Sequence, residues 1–179
     1  MVNCNFVDLA LYHISITKIY LSRFETNMTE GLMKTWTDLV QPLLRRPRQL
    51  QVAAICYRDA PLGRQVLLIT SRGTGRWIVP KGWPIDGLNA VEAALQEAWE
   101  EAGVKARVER AEPAGRFDYD KRHDEGYETP VEAHVFKVCI DRLEDSYPEA
   151  GERDRQWFTP EEAANRVQEP GLQAILRQM

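Results

Sequence analysis

Short apolar runs, set apart by glycine, proline and charged clusters, give the chain its framework. QVAAICY, from Gln51 to Tyr57, has the length and composition of a buried strand. A turn at Asp59 to Gly63 containing Pro61 follows, then a second strand, QVLLITS, so the pair reads as a hairpin. Gly73 and Gly75 interrupt the chain before WIVP, a third apolar run closed by Pro80. The period then changes. At about 100° per residue, Val91, Leu95, Ala98 and Ala102 share one stripe, and Asn89, Glu92 and Gly103 supply a cap, a capping box and a left-handed stop. These predict a helix from about Ala90 to Ala102. Downstream, Lys105 to Phe117 contains an extended segment, DYDKRHDEGYE reads as a polar loop, and Pro130 to Ile140 has the β-branched, apolar character of a strand. RQWF reads as a short edge strand, Thr159 and Pro160 open a helix through Val167, and a last helix starts at about Gly171. Strands with helices before, between and after them predict an α/β fold, a mixed sheet sandwiched as α/β/α.

The first part of the chain follows a different pattern. Its apolar positions are interrupted by Asn, Asp, His, Lys and Arg well before about 18 residues, so no membrane span is expected. It also lacks the positive start, unbroken apolar run and A-x-A-like site of a secretory signal. Met33, Trp36, Leu39, Val40 and Leu43 have the spacing of a short amphipathic helix, ended by the RRPR run around Pro47. The expected organisation is an extension over residues 1–48, with no role assigned, and a main domain over residues 49–179.

Composition narrows the class. A chain of 179 residues with 44% hydrophobic content can bury one ordinary core. Lys plus Arg number 23 against 27 Asp plus Glu, a net charge of −4, which argues against holding long nucleic acid by charge. Cys4, Cys56 and Cys139 are odd in number and far apart, without a CxxC pair, so a reducing cytoplasm is the expected location.

The chemistry gathers between Lys81 and Val104, KGWPIDGLNAVEAALQEAWEEAGV. Glu97, Glu100 and Glu101 fall on one arc of the helix, where like charges repel unless a cation comes between them. An isolated acidic run reads as a solvated helix face; the loop before this one changes that. Gly82 and Gly87 frame a turn fixed by Pro84, allowing a main-chain carbonyl to approach an ion closely. Oxygen ligands of this kind suit Mg²⁺, which takes few protein ligands and shares the rest with water and phosphate.

Gly82, Leu88 and the run Gln96-Glu97-Ala98-Trp99-Glu100-Glu101-Ala102-Gly103-Val104 together resemble the signature of the Nudix hydrolase family. Leu88 stands where that pattern has a glutamate, and Gln96 where it has an arginine that orients the neighbouring carboxylates. A glutamine can hydrogen-bond a carboxylate but cannot neutralise it. The resemblance implies the Nudix α/β/α sandwich and hydrolysis of a phosphoanhydride by water, aided by Mg²⁺, with Mn²⁺ as an alternative. It also implies that the Gly82 carbonyl, Glu97, Glu100 and Glu101 hold the ion. Glu97 is either a ligand or the base, and the residues do not separate the two roles.

Substrate phosphates call for cations, and Arg72, Arg76 and Lys81 lie nearest the loop in sequence, with Arg153 and Arg155 entering before Trp157. Lys121, Arg122 and His123 form a further basic group. Glu149 and Glu152 are either loop charges or an additional catalytic glutamate. Trp83 either stacks on a base or plugs the loop, and His134 reads as a structural strand residue. Over roughly residues 50–168 the chain resembles the branch that hydrolyses diphosphoinositol and dinucleoside polyphosphates, whereas the Lys81-Gly82 loop resembles that of diadenosine tetraphosphate hydrolases. The expected substrate is therefore a small polyphosphorylated metabolite such as a diphosphoinositol or diadenosine polyphosphate. ADP-ribose or a nucleoside diphosphate sugar is the alternative, as is a non-catalytic module that only binds nucleotide. Neither a membrane nor long nucleic acid is an expected partner, and protein partners are not indicated.

Overall fold

A computed structural model of the chain describes residues 47–122 and 126–179. The chain divides into two units, Met1–Arg46 and Pro47–Met179, and the described residues all belong to the second. The amphipathic helix expected between Met33 and Leu44, and His123, lie outside the described residues.

The elements are β1 (Gln49–Ala60), β2 (Gly63–Thr70), β3 (Trp77–Ile78), β4 (Lys81–Gly82), α1 (Ala90–Ala102), β5 (Val104–Lys105), β6 (Ala111–Arg122), β7 (Glu128–Cys139), β8 (Arg142–Leu143), β9 (Arg155–Phe158), α2 (Pro160–Arg166) and α3 (Pro170–Leu176). A short 3-10 turn at Val108–Arg110 leads into β6. Seven strands form one sheet along the path β3-β2-β1-β7-β6, with β4 on β1 and β9 on β2, while β5 and β8 make a small separate pair. β1 and β7 run parallel from Gln49 opposite Val131 to Tyr57 opposite Cys139, and the other pairs are antiparallel. The sheet is therefore mixed.

Both of its faces are covered, as the near-continuous apolar runs of β1 and β2 require. Ala53, Ile55, Val66, Leu68, Ala133 and Val135 point to one face and pack against Ala163, Ala164 and Val167 of α2 and its end, and against Leu172 and Leu176 of α3. Their neighbours Val52, Ala54, Cys56, Leu67, Ile69 and Val138 point to the other face and pack against Ala93, Ala94, Ala98 and Ala102 of α1. This is the expected α/β/α sandwich. The buried side of α1 is built of alanine, with Val91 and Leu95 only partly buried at its margin. Small side chains allow the helix backbone to lie close to the sheet, and this draws Glu101 into the buried set.

The stretch expected to be a polar loop is mostly strand. Asp118 to Arg122 continue β6, and Glu128 begins β7, paired from Ala111 opposite Val138 to Arg122 opposite Glu128. β6 is an edge strand, and charged side chains are how edges avoid unwanted pairing, so its composition resembles a loop. Phe117 is nevertheless in the core, with Tyr119 packed behind it.

One departure from a simple sheet positions the site. β1 pairs with β2 through Tyr57 to Ala60, but at Val52 and Ala53 it pairs instead with Gly82 and Lys81. The segment carrying β3 and β4 is thus inserted where the two long strands separate, with Ile78 on Ile69 and the Ala54 N–H donating to the Pro80 carbonyl at 3.0 Å. Lys81 and Gly82 are thereby fixed in register beside α1.

Candidate active site

The site is built where α1 passes β4. The helix is terminated as its sequence predicts. Asn89 Oδ1 accepts from the Val91 and Glu92 N–H groups, Glu92 accepts in return from the Asn89 N–H, and Gly103 takes φ 67° at the C-terminus. A helix held at both ends presents Glu97, Glu100 and Glu101 at fixed heights above the sheet.

Each carboxylate has a different environment. That of Glu97 lies directly on the Gly82 backbone: a Cβ at residue 82 would stand 2.0 Å from Glu97 Cδ. Desolvation, reinforced by the charges of Glu101, Glu100 and Glu149, pushes the Glu97 carboxyl up to about 7. Glu101 is 7% exposed, and its Oε2 accepts from the Lys81 N–H at 2.9 Å while its Oε1 takes a short hydrogen bond from Arg153 Nη2. Burial raises its carboxyl above the ordinary range, with Arg153 and Lys81 opposing the rise. Glu100 Oε1 accepts from Gln96 Nε2 at 2.5 Å. Glu149 approaches from the loop before β9, with its N–H on the Glu100 carbonyl at 3.1 Å and its carboxylate on Arg153 Nε at 2.7 Å.

Among the described residues no three acidic, histidine or cysteine side chains converge as a ready-made metal cage. The donor set still fits a hard divalent cation. Mg²⁺ needs only one or two carboxylates with water and substrate oxygens, the missing side chain at Gly82 lets the Glu97 carboxylate lie against the main chain there, and the last turn of α1 contains no base to neutralise its acids.

The basic residues singled out in the sequence separate into two groups. Arg72 and Arg76 lie on the turn between β2 and β3. Arg72 is 61% exposed and reaches Glu149 and Glu152 at 3.4 and 3.3 Å, while Arg76 pairs with Glu169 at 2.5 Å. Lys81 is partly buried, its ammonium 5.5 Å from the centre of the Tyr119 ring, and desolvation lowers its affinity for a proton. Lys121 Nζ lies 4.6 Å over the ring of Trp83, whose other surroundings leave it 36% exposed. Arg153 and Arg155 are engaged inward. Arg153 is 5% exposed in its side chain, and Arg155 Nη1 donates to the Ala102 and Glu144 carbonyls at 2.9 and 2.8 Å, closing the C-terminus of α1. Leu88 is 41% exposed, and His134 pairs with Glu132 on the strand surface.

The sequence reading missed Glu169, Tyr119 and Gln51. Glu169 is 7% exposed, with Oε1 on Arg76, and Tyr119 donates to Gln51 Oε1 at 2.5 Å. Alternation along β6 could have found Tyr119. Nothing local marks Glu169, whose position before Pro170 reads only as a helix start.

With this geometry in view, the comparisons agree with one another. The model of a family described as the NUDIX domain matches residues 47–179, nearly three quarters of the chain. Nudix hydrolase 21, chloroplastic, of Arabidopsis thaliana is 34% identical over 115 residues, covering 63% of this chain and 54% of that protein. Diphosphoinositol polyphosphate phosphohydrolase 3-alpha of Mus musculus is 28% identical over 120 residues, covering 66% of this chain and 68% of that one. The match to the plant protein thus spans about half its length. Among solved structures, the C. elegans Ap4A hydrolase superposes with a TM-score of 0.52 at 18% identity, covering 74% of this chain and 96% of that one. A MutT protein from Bacillus halodurans gives 0.53 at 23%, covering 72% and 80%. The glycine loop, the acidic helix and the sandwich around them are those of a Nudix domain. The chain belongs to the Nudix family.

Proposed function

We propose that the chain is a Mg²⁺-dependent hydrolase, with Mn²⁺ as a substitute ion, acting on a phosphoanhydride bond in a small polyphosphorylated metabolite. The observation carrying this reading is the Glu97 carboxylate lying on the bare backbone of Gly82, beside Glu101 held by the Lys81 N–H. In it, the Gly82 carbonyl, Glu97, Glu100 and Glu101 hold the ion. When bound, a divalent cation supplies Lewis acidity toward water and a phosphate oxygen. Without the ion the Glu97 carboxyl is pushed up to about 7, and beside a bound divalent cation it would be held ionised, as a ligand or as the base that takes the water's proton. Arg72, Arg76 and Lys81 face the phosphates, and Trp83 with Lys121 supplies an aromatic and basic lip.

Two substrate classes follow from two different supports. The relatives named for diphosphoinositol polyphosphate favour an inositol ring crowded with phosphates. The local charge favours a diadenosine polyphosphate, because Arg72 and Arg76 come already paired with Glu149, Glu152 and Glu169, leaving less net positive field for a densely phosphorylated ring.

The test is a panel of diphosphoinositol phosphates, diadenosine polyphosphates, ADP-ribose and nucleoside triphosphates with Mg²⁺ or Mn²⁺, products being identified, run on wild type and Glu97→Gln. Glutamine has nearly the shape of the protonated glutamate, so the variant should fold and lose at least about a hundredfold in turnover. Tight nucleotide binding with no phosphate release from wild type would make the chain a binding module, and full activity in Glu97→Gln would remove the proposed site.

A further inference from the structure

The charges of Glu101, Glu100 and Glu149 all act on the Glu97 carboxylate, yet the last turn of α1 carries no base and residue 96 is a neutral glutamine. The cation that enters comes from a distant part of the chain. Arg153 approaches from the loop before β9, and each of its three nitrogens has its own acceptor: Nε on Glu149 Oε2 at 2.7 Å, Nη1 on the Thr70 carbonyl at 3.0 Å, and Nη2 on Glu101 Oε1. Its loop is tied to β2 as well, through the Thr70 N–H on the Asp154 carbonyl and the Asp154 N–H on Thr70 Oγ1, at 3.0 and 2.9 Å.

We propose that Arg153 is the positioning residue of this site, supplying from the loop before β9 a guanidinium that α1 itself does not carry. The inference rests on the metal-dependent reading above. A planar fork with all nitrogens engaged fixes the direction of both carboxylates, which an ammonium or an amide cannot do. With the Lys81 N–H on its other oxygen, Glu101 is clamped from two sides. A phosphate-binding arginine needs donors turned toward solvent, whereas this side chain is 5% exposed and each of its nitrogens already has a protein acceptor. Burial and occupancy therefore decide for orientation of the carboxylates over contact with substrate.

Charge and orientation make opposite predictions, which gives the test its force. By charge alone, removing Arg153 leaves the carboxylates more negative and should tighten Mn²⁺, and adding an arginine should weaken it. By orientation, Arg153→Gln should weaken Mn²⁺ about tenfold or more, as loss of partners behind metal ligands generally does, and should lower kcat while KM stays within about threefold. Gln96→Arg in the same chain should recover little of the lost affinity, because position 96 reaches Glu100 and not the Glu101 and Glu149 that Arg153 holds. The measurements are Mn²⁺ binding by electron paramagnetic resonance, thermal melts, and kcat and KM on the best substrate of the panel, for wild type, R153Q, R153Q/Q96R and Q96R. Unchanged or tighter Mn²⁺ in R153Q overturns the proposal, as does a rise confined to KM. So does loss of a cooperative melt in R153Q, which would make Arg153 a structural residue only. Failure of wild type to bind Mn²⁺ removes the metal-dependent reading itself, and is seen before any variant is made.

Discussion

Glycine 82 leaves no room for substitution. Glu97 fills the volume that a side chain there would take, so Gly82→Ala must displace the carboxylate rather than crowd it. A shift of about 1 Å at such a group is expected to lower turnover about a hundredfold, with the fold retained. Phosphate release and a thermal melt of Gly82→Ala check both halves. The relative placement of Glu97, Glu100 and Glu101 was readable because a helix converts sequence spacing directly into position, whereas Gly82 is brought under Glu97 by the pairing of β4 with β1. Arg153 was readable as a cation but not as to what it faces. Thr70, Glu101 and Glu149, its three acceptors, come from three segments far apart in sequence. Gln96 reaches Glu100 within one turn of helix, and that contact needed no tertiary information.

The ends of α1 carry most of the precision at the level of elements. Gly103 adopts φ 67°, and an alanine Cβ there would lie 2.5 Å from the Glu144 carbonyl, so Gly103→Ala should destabilise by about 2 kcal/mol or more through strain and a lost helix stop. Arg155 caps the same end by donating to the Ala102 carbonyl. Replacing it with methionine should lower the melting temperature while leaving KM unchanged, and a selective rise in KM would restore it to the phosphate-binding set. Helix boundaries were legible because caps are local: Thr159 and Glu162 form the capping box of α2 just as Asn89 and Glu92 do in α1. β6 was partly mistaken for a loop because its pairing partner β7 and its edge position, not its composition, make it a strand.

For the molecule as a whole, the acidic site is a source of linked instability. The Glu97 carboxyl sits at about 7 in the folded chain against an ordinary 4.5, so between those values the folded state holds more protons than the unfolded one. Stability without added metal should therefore fall as pH rises from about 4.5 to about 7. Mg²⁺ or Mn²⁺ should oppose the fall, raising the melting temperature most above pH 7, where the carboxylate is ionised. Melts in a chelator and in 5 to 10 mM metal, taken as rough working concentrations across that range, test it. A melting temperature independent of pH in chelator would separate Glu97 from the stability of the fold.

The place where β1 and β2 part company has an engineering meaning. Since β3 and β4 are each stitched to a long strand, the turn from Ser71 to Arg76 between β2 and β3 begins and ends on fixed footings, while α1 is fastened elsewhere. Turns of other lengths and sequences should therefore be accepted there with α1 left in place, and a cooperative melt of such a chain checks it.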